Sequence, residues 1–214
     1  MIHVIMPVKE LRNAKRRLAD VLDTAQRQAL SLAMLDDMLA TLTHTAGVLT
    51  TIISRDSAVR ERAMACGVTI VIDRAASLNA ALDQAVSCLR NDVMFLVIPA
   101  DLPLIRSEDI RELAAVLMGR RSVVLAPAHD GGTNALLMYQ DVRLPFLFGT
   151  NSLASHLAAA RQRGLQARLV HLPRLARDID DIDDLLWLAR QPGESAAQRL
   201  ARRYLAHRTR YHDL

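Results

Sequence analysis

The chain has 214 residues, 51% of them hydrophobic and 3% aromatic, and a formal net charge of +4, which predicts one domain with a mainly aliphatic core. No basic stripe interleaved with aromatic residues is present, so the composition argues against nucleic acid as a partner and is compatible with an anionic small molecule. No apolar run approaches the roughly 20 residues that span a bilayer, so no membrane partner is expected.

The compartment is predicted from the N-terminus and the cysteines. The apolar N-terminus lacks the basic segment and the cleavage site of a secretory signal. Cys66 and Cys88 have neither metal-ligand nor redox spacing, and we interpret each as a free buried thiol in a reducing compartment. These features predict a cytoplasmic protein. A homodimer is among the oligomeric states that the sequence leaves open.

Short apolar runs alternate with longer amphipathic segments along the chain. They predict strands over residues 3–6, 48–54, 69–72, 92–98, 122–126, 135–139 and 167–172. They predict helices over residues 25–43, 57–65, 78–90, 107–117, 152–163, 182–191 and 196–208. This alternation favours a mainly parallel, doubly wound α/β sheet. We expect a single domain of residues 1–214, in which residues 192–214 form an arginine-rich helical extension.

Local patterns refine the predicted elements. The apolar strand within residues 93–98 is typical of a central strand that is buried on both faces. The first helix has an apolar residue every fourth position, which predicts a buried stripe of Leu30, Met34, Met38 and Leu42. Helix N-caps are predicted at Asp23 or Thr24, Asp56, Ser107 and Ser152.

Four cations follow the first strand: Lys9, Lys15, Arg16 and Arg17. Ligands of a doubly wound sheet bind at the carboxyl ends of its strands, so this basic loop is well placed to hold a polyphosphate. A solvated basic loop explains the same residues equally well. The chain lacks the GxxxxGK[ST] motif, which argues against ordinary P-loop chemistry.

An aspartate, Asp101, follows the central strand and lies between Pro99 and Pro103. A carboxylate at this position is a suitable oxygen ligand for Mg²⁺. The alternative is a turn residue between two prolines. We favour the metal role, because the prolines would stiffen the position of the carboxylate.

The octapeptide 130–137, Asp-Gly-Gly-Thr-Asn-Ala-Leu-Leu, joins two strand-like runs. Its adjacent glycines let the backbone approach a ligand closely, and Thr133 and Asn134 add short polar groups. The residues alone leave two equal alternatives, a cradle for a small anion and a plain hairpin turn.

The segment before the fifth helix contains Gly149 and Ser152. Free amides at a helix start favour a phosphate or carboxylate, although an ordinary serine cap explains the pattern too. His129 and His156 lie near these segments and are interpreted either as substrate contacts or as structural residues. No Ser/His/Asp or Cys/His spacing is recognisable, so covalent catalysis is not expected.

An acidic run occupies residues 178–184. Alternate residues of an extended segment face the same way, so Asp178 and Asp180 could both point at one cation. Asp181, Asp183 and Asp184 are predicted to cap the following helix and to favour its positive end.

Taken in order, these motifs resemble the 2-phospho-L-lactate guanylyltransferase family of deazaflavin coenzyme biosynthesis. The matching segments are 7–9, 14–18, 78–82 (Leu-Asn-Ala-Ala-Leu), 99–103, 130–137, 148–152 and 178–180. They extend over most of the chain, and their ordered set is specific although each is modest alone. The resemblance implies a nucleotidyltransferase fold of the nucleotide-diphospho-sugar transferase type. It also implies GTP, Mg²⁺ and a phosphorylated three-carbon acid, which becomes joined to GMP.

The resemblance also implies roles for individual residues. Lys9, Lys15 and Arg17 would hold the GTP phosphates, with Leu78 and Asn79 near the nucleotide. Asp101, Asp178 and Asp180 would bind the metal, and Lys9, Lys15, Arg17 and Asp101 would be the catalytic residues. Thr133 or Asn134, Gly149 and Ser152 would hold the acid.

Three questions stay open at this stage. Thr150 and Asn151 depart from the residues that often follow Phe-Gly in the family, so the acid could be 2-phospho-L-lactate, phosphoenolpyruvate or 3-phospho-D-glycerate. A glycosyl or nucleotidyl transferase of the same fold could use another acceptor. A non-catalytic nucleotide-binding regulator is a third alternative, against which the presence of both Asp101 and Asp178 argues.

Overall fold

A computed structural model describes the backbone of residues 1–212 and the side chains of residues 1–206. The strands are β1 (Ile2–Pro7), β2 (Val48–Ile53), β3 (Thr69–Val71), β4 (Met94–Val97), β5 (Ser122–Pro127), β6 (Thr133–Tyr139) and β7 (Gln166–Leu169). The helices are α1 (Thr24–Thr43), α2 (Ser57–Ala65), α3 (Leu78–Val86), α4 (Ser107–Val116), α5 (Ser152–Gln162), α6 (Ile182–Arg190) and α7 (Ala196–His212). Every predicted strand and helix is present. The largest differences are four residues each: α3 ends before the predicted end at residue 90, and α7 continues beyond the predicted end at residue 208.

The strands form one sheet in the order β3-β2-β1-β4-β6-β5-β7. All neighbouring strands are parallel except β6, which runs antiparallel to both β4 and β5. The predicted mainly parallel α/β class is therefore confirmed. Because β6 is reversed, its first residues, Thr133 and Asn134, lie at the same sheet edge as the carboxyl ends of β1 and β4. This edge is where ligands bind in such sheets.

The core lies on both faces of the sheet. Helices α1, α2 and α4 pack on one face, and α3 and α5 pack on the other. Strand β4 confirms the prediction of a doubly buried central strand: Phe95 and Val97 face the second layer, whereas Leu96 faces the first. The predicted α1 stripe is also confirmed, since Leu30, Met34, Met38 and Leu42 are at most 1% exposed.

Helix α7 packs on its own domain. Its Ala197 and Ala201 are fully buried in a hydrophobic cluster that includes Leu30 and Met34 of α1. The two carboxylate oxygens of Asp37 accept hydrogen bonds from the first two backbone amides of α7, each at 2.8 Å. Residues 213–214 of the predicted 192–214 extension lie outside the described residues. None of the helices in the described part of the chain is long and apolar enough to cross a membrane.

The helix termini confirm some predicted caps and correct others. Asp23 and Asp56 are the N-caps of α1 and α2, and Asp181 caps α6 in a capping box with Asp184. Ser107 and Ser152 were wrong as caps, because the N-caps are the preceding residues, Arg106 and Asn151, and each serine is already helical. The Ser107 hydroxyl instead bonds with Thr45, and the Ser152 hydroxyl donates to Thr133.

The cysteine prediction was half right. Cys66 and Cys88 are free thiols, but both are exposed rather than buried. Each lies just beyond the last turn of a helix, Cys66 at the end of α2 and Cys88 after α3. At those positions the side chains have left the helix face that packs on the sheet.

Candidate active site

A cavity of about 450 Å³ opens where β1 and β4 end. One wall is the segment after β1, and the opposite walls are the start of α3 and the segment after β4. Six of the predicted site residues line it, namely Lys9, Lys15, Arg17, Leu78, Asp101 and Asp180. A cavity that has cations on one side and carboxylates on another has the charge pattern needed to hold both a polyphosphate and a metal ion.

Lys15 links the basic segment to the carboxylates. Its side chain is only 8% exposed, and its Nζ lies 2.6 Å from Asp101 Oδ2 and 2.9 Å from Asp180 Oδ1. Burial alone would lower the pKa of Lys15, but the two carboxylates raise it to about 12. The residue has left-handed backbone angles, φ 49° and ψ 46°, which cost free energy in a non-glycine residue and are concentrated at functional sites. Lys15 is thus a fixed internal cation, whereas Lys9 and Arg17 are exposed.

Three carboxylates, Asp101, Asp178 and Asp180, converge beside Lys15. One oxygen from each lies within 4.8 Å of the others. Asp101 Oδ1 is buried and has no hydrogen-bond partner among the described residues. Buried acceptors are rarely left unpaired, so an unpaired oxygen in a three-carboxylate cluster fits a hard divalent cation such as Mg²⁺.

The pKa values of Asp178 and Asp180 are shifted in opposite directions. Burial, the nearby charge of Asp101 and that of Asp180 raise the pKa of Asp178, and a hydrogen bond from Asn134 opposes the rise. Burial also acts to raise the pKa of Asp180, but Lys15, followed by Arg17 and Lys9, holds it below its ordinary value. One lysine therefore offsets only part of the repulsion among three carboxylates.

The segment that carries Asp178 and Asp180 is held by residues outside the cavity. Asn134 Nδ2 donates to Leu175 O at 2.8 Å and to Asp178 Oδ1 at 3.2 Å. The buried Asp184 accepts from the amides of Asp180 and Asp181, and from Arg177 Nε at 2.7 Å. Asn134, which the family resemblance implies as an alternative to Thr133 for holding the acid, has its amide group in contact with a member of the carboxylate cluster.

The first three residues of the glycine-rich octapeptide, Asp130–Gly132, lie in the hairpin turn between β5 and β6, and its other residues belong to β6. Gly131 has a φ of +87°, in the range that favours glycine, and the Asp130 carboxylate accepts from the Gly132 amide at 2.9 Å. A Cβ on Gly132 would lie 2.9 Å from that carboxylate. The turn interpretation therefore holds for Asp130–Gly132, whereas Thr133 and Asn134 are buried residues of β6.

Ser152 lies beside Thr133, and the Gly149 carbonyl accepts from the Ser152 amide at 3.1 Å. Gly149 has a φ of +140°, and a Cβ built there meets nothing within 4 Å. Asn151 has left-handed angles and is the N-cap of α5, and Ser152 Oγ donates to Thr133 Oγ1 at 3.2 Å. The structure thus brings Thr133 and Ser152 into contact, as the prediction of a shared acid site requires.

Asn79 and Leu78 lie at the start of α3, with Leu78 in the cavity wall. The Asn79 side chain pairs with the main chain of Phe148, accepting from its amide at 3.0 Å and donating to its carbonyl at 3.2 Å. Asn79 therefore joins the cavity wall to the loop that precedes Gly149.

Sequence reasoning missed two residues of this region. His156, interpreted from the sequence either as a substrate contact or as a structural residue, is fully buried, and its Nδ1 lies 3.1 Å from Thr133 Oγ1. Its spacing from Ser152 was an available signal, because residues four apart share one helix face. Asp184 was taken only as a cap residue, and its bond to Arg177 could not be foreseen without the path of the chain. The Nε2 atom of His129, the other histidine near these segments, lies 3.8 Å from Asp184 Oδ1.

Comparisons with known proteins give a consistent result. Residues 2–205 match the model of the family described as guanylyl transferase CofC like. The chain is 52% identical to a phosphoenolpyruvate guanylyltransferase of Roseiflexus sp. strain RS-1, over 96% of this chain and 92% of that protein. It is 35% identical to a 3-phospho-D-glycerate guanylyltransferase of Colwellia psychrerythraea, over 87% of this chain and 90% of that protein.

Solved structures match in fold at low sequence identity. A protein of Desulfovibrio desulfuricans G20 described as a nucleotide-diphospho-sugar transferase has a TM-score of 0.78 and 18% identity, covering 96% of this chain and 95% of that one. A nucleotidyl transferase from Methanothermobacter has a TM-score of 0.66 and 17% identity, covering 97% of this chain and 99% of that one. The fold is therefore that of nucleotidyltransferases of the nucleotide-diphospho-sugar transferase type.

Proposed function

Because the chain belongs to the CofC-like guanylyl transferase family and is therefore a nucleotidyltransferase, we propose that it joins GMP from GTP to a phosphorylated three-carbon acid. Phosphoenolpyruvate is the first candidate for the acid, since the relative that shares 52% of its residues carries that name. The reaction would release pyrophosphate and would serve deazaflavin coenzyme biosynthesis in the cytoplasm.

The observation that carries this proposal is the meeting of cations and carboxylates at one cavity. Lys9, Lys15 and Arg17 line the same space as Asp101 and Asp180. GTP brings several negative charges, and the acid brings more, so the two substrates repel each other. Fixed cations on the cavity wall offset that repulsion without having to reorganise during the reaction.

We assign Mg²⁺ to Asp101, Asp178 and Asp180. The unpaired Asp101 Oδ1 and the incomplete charge compensation by Lys15 support a cation at this position. When bound, Mg²⁺ would neutralise phosphate charge and polarise the phosphoryl group that is attacked. We assign Asn134 to the orientation of Asp178 through its 3.2 Å hydrogen bond, rather than to the acid.

The group transfer needs no protein nucleophile. A phosphate oxygen of the acid would form a bond to the α-phosphorus of GTP, and the bond from that phosphorus to the bridging oxygen of the β-phosphate would break. The electron pair leaves with pyrophosphate, and no proton has to move, because the acid phosphate is already ionised near neutral pH. Lys9, Lys15 and Arg17 would hold the phosphates in line and stabilise the charge that develops on the leaving group.

The acid would lie beside Thr133, Gly149 and Ser152. Thr133 and Ser152 are in hydrogen-bond contact, and the space next to Gly149 admits a ligand close to the backbone. The hydroxyl and amide groups here are uncharged hydrogen-bond donors. They suit a phosphate of which one oxygen must stay negatively charged and free to attack. The carboxylate cluster lies at the same end of β6, where Asn134, the residue after Thr133, contacts Asp178.

A pyrophosphate-release assay tests the proposal. GTP would be offered with phosphoenolpyruvate, 2-phospho-L-lactate or 3-phospho-D-glycerate in parallel, with ATP and CTP in place of GTP and with EDTA as controls. We expect release with GTP and phosphoenolpyruvate that stops in EDTA. Preference for another of the three acids would change the assigned substrate, and no release with any of them would overturn the proposed function.

A transferase of the same fold that uses another acceptor is the remaining alternative. It predicts that GTP binds in the presence of Mg²⁺ while none of the three acids promotes pyrophosphate release. The sequence also left open a non-catalytic nucleotide-binding regulator. Membership of a family described as guanylyl transferases argues against it.

A further inference from the structure

His156 lies outside the cavity lining and yet has a complete set of directed contacts. The side chain is fully buried in α5, one turn beyond Ser152. Its Nδ1 lies 3.1 Å from Thr133 Oγ1, and its Nε2 accepts from the Leu147 amide at 3.1 Å. The Phe148 ring packs edge-to-face on the imidazole, with the ring centroids 4.9 Å apart.

These contacts determine the tautomer of His156. A backbone amide can only donate, so Nε2 must be the acceptor nitrogen. Burial lowers the pKa of His156 to about 4, so the ring is neutral at physiological pH. Its single proton therefore lies on Nδ1 and is donated to Thr133 Oγ1.

Thr133 Oγ1 consequently accepts two hydrogen bonds. One comes from His156 Nδ1 and the other from Ser152 Oγ, at 3.1 Å and 3.2 Å. A hydroxyl oxygen has two acceptor lone pairs and one proton to donate. With both lone pairs occupied, the Thr133 proton is left to point away from these partners and can be donated to a ligand oxygen.

We propose that His156 is a positioning residue for the acid substrate, which orients the Thr133 hydroxyl proton toward the acid's phosphate and anchors the 146–149 loop through Leu147. This inference rests on the proposed function and deepens it by giving a defined donor to the acid site. Without the Nδ1 donor, the Thr133 hydroxyl could rotate and donate inward, and the phosphate would then meet a lone pair instead of a proton.

Two substitutions separate the two halves of the imidazole. Asparagine places its amide near the Nδ1 position, so His156→Asn retains a donor to Thr133 and loses the acceptor for Leu147. Glutamine reaches the Nε2 position, so His156→Gln retains the acceptor for Leu147 and loses the donor to Thr133. A role in packing alone predicts that the two variants are impaired in proportion to their loss of stability.

The experiment measures KM for phosphoenolpyruvate and for GTP in both variants, together with their melting temperatures. We expect His156→Gln to raise the KM for the acid by about 10- to 100-fold, as expected for a lost hydrogen bond to a charged group. We expect His156→Asn to change it by less than about threefold, the margin that allows for local repacking. The GTP KM should stay nearly constant in both variants.

A double-mutant cycle with Thr133→Val completes the test. If His156 acts through the Thr133 hydroxyl, His156→Gln should add little to the KM defect of Thr133→Val. An unchanged acid KM in His156→Gln, or the same added defect in the Thr133→Val background, would overturn the inference and leave the proposed function standing. Absence of pyrophosphate release by the wild-type chain with every acid would overturn both.

Discussion

At the scale of single residues, the carboxylate cluster combines like charges that repel one another in the folded chain. Asp101, Asp178 and Asp180 are held together with one buried lysine. The pKa of Asp178 is raised by burial and by its acidic neighbours, which means that its charged form is disfavoured in the folded chain. Sites arranged for ligands often keep such unfavourable interactions.

Replacing Asp178 by Asn should therefore stabilise the metal-free protein while reducing turnover. The amide removes one negative charge and retains an oxygen that can accept from Asn134. We expect the melting temperature in EDTA to rise by about 2–4 °C, the shift that about 1 kcal/mol produces in a chain of this size. Pyrophosphate release should fall by about 100-fold or more.

Asp183→Asn is the matched control for Asp178→Asn, since Asp183 is an exposed aspartate of the same acidic run. We expect its turnover to stay near that of the wild type. A melting temperature that falls in Asp178→Asn would contradict the repulsion argument, and unchanged turnover would remove Asp178 from the metal site.

His156 predicts a specific dependence of stability on pH. Its pKa is lowered from 6.5 in the unfolded chain to about 4 in the folded chain, so between these values the unfolded chain binds the proton more readily. This difference in proton binding leaves the unfolding free energy unchanged above about pH 6.5. As pH falls from 6.5 toward 4, it lowers the unfolding free energy. His156→Asn lacks it, so the difference in unfolding free energy between the wild type and this variant should shift in favour of the variant from pH 7 to pH 4.5.

Chemical denaturation at several pH values between 7 and 4.5 would measure that difference. Comparing the two proteins at each pH cancels the contributions of the other titrating groups that they share. A difference that stays constant across the window would mean that the folded chain protonates His156 as readily as the unfolded chain does.

At the scale of elements, the hydrophobic pattern predicted strands and helices well and their directions less well. The period of four in α1 and the apolar run of β4 are properties of consecutive residues, so both could be read from the sequence. The reversal of β6 depends on which strands flank it, and an apolar run is the same in either direction. Helix α3 ends early for a local reason. The Ser87 hydroxyl donates to Gln84 O at 2.8 Å, and this contact competes with continuation of the helix.

The candidate site could be predicted where each group follows a strand or a glycine. Lys15, Asp101 and Thr133 were proposed as site residues from such positions, because the carboxyl ends of the strands gather them at one end of the sheet. The partners of these residues could not be found, since His156 meets both Thr133 and Leu147 only after α5 docks on the sheet. The same holds for Asp184, which supports the Asp180 amide from the next helix.

The link between α3 and the 146–149 loop gives a prediction for Asn79. Both ends of its amide group bond to the Phe148 main chain, so Asn79→Ala should release the loop that precedes Gly149. We expect the KM for the acid to rise by about tenfold, the effect of roughly 1.4 kcal/mol, and the KM for GTP to rise less. Hydrogen exchange at the Phe148 amide should become faster, because that amide loses its acceptor.

Gln84→Ala is the control for Asn79→Ala on the same helix. Its amide also reaches across to a neighbouring element, bonding Ile72 O at 3.2 Å, but it does not contact the loop. A larger rise in the KM for GTP than for the acid in Asn79→Ala would return Asn79 to the nucleotide-binding role that the family resemblance implies.

At the scale of the whole molecule, the C-terminal helix packs against residues that line or adjoin the cavity. Ala197 and Ala201 of α7 share a hydrophobic cluster with Leu18 and Met34. Leu18 directly follows Arg17 of the basic segment, and Met34 lines the cavity itself. A change that loosens α7 should therefore reach the nucleotide side of the cavity before it reaches the acid side.

Asp37→Ala tests this connection. The variant removes the carboxylate that caps α7 through the amides of Ala196 and Ala197, and the loss of such a cap costs about 1–2 kcal/mol. We expect unfolding to remain a single transition at a lower melting temperature, because the shared cluster couples α7 to α1. The KM for GTP should rise modestly while the KM for the acid stays constant.

Asp36→Ala provides the comparison for Asp37→Ala, since this neighbouring aspartate pairs with Arg62 on the surface. An exposed pair of this kind is worth about 0–1 kcal/mol, so Asp36→Ala should leave both KM values and most of the stability unchanged. Two separate unfolding transitions in Asp37→Ala would show that α7 is an independent appendage. Equal losses of stability in Asp36→Ala and Asp37→Ala would mean that the missing negative charge, rather than the missing cap on α7, accounts for the effect.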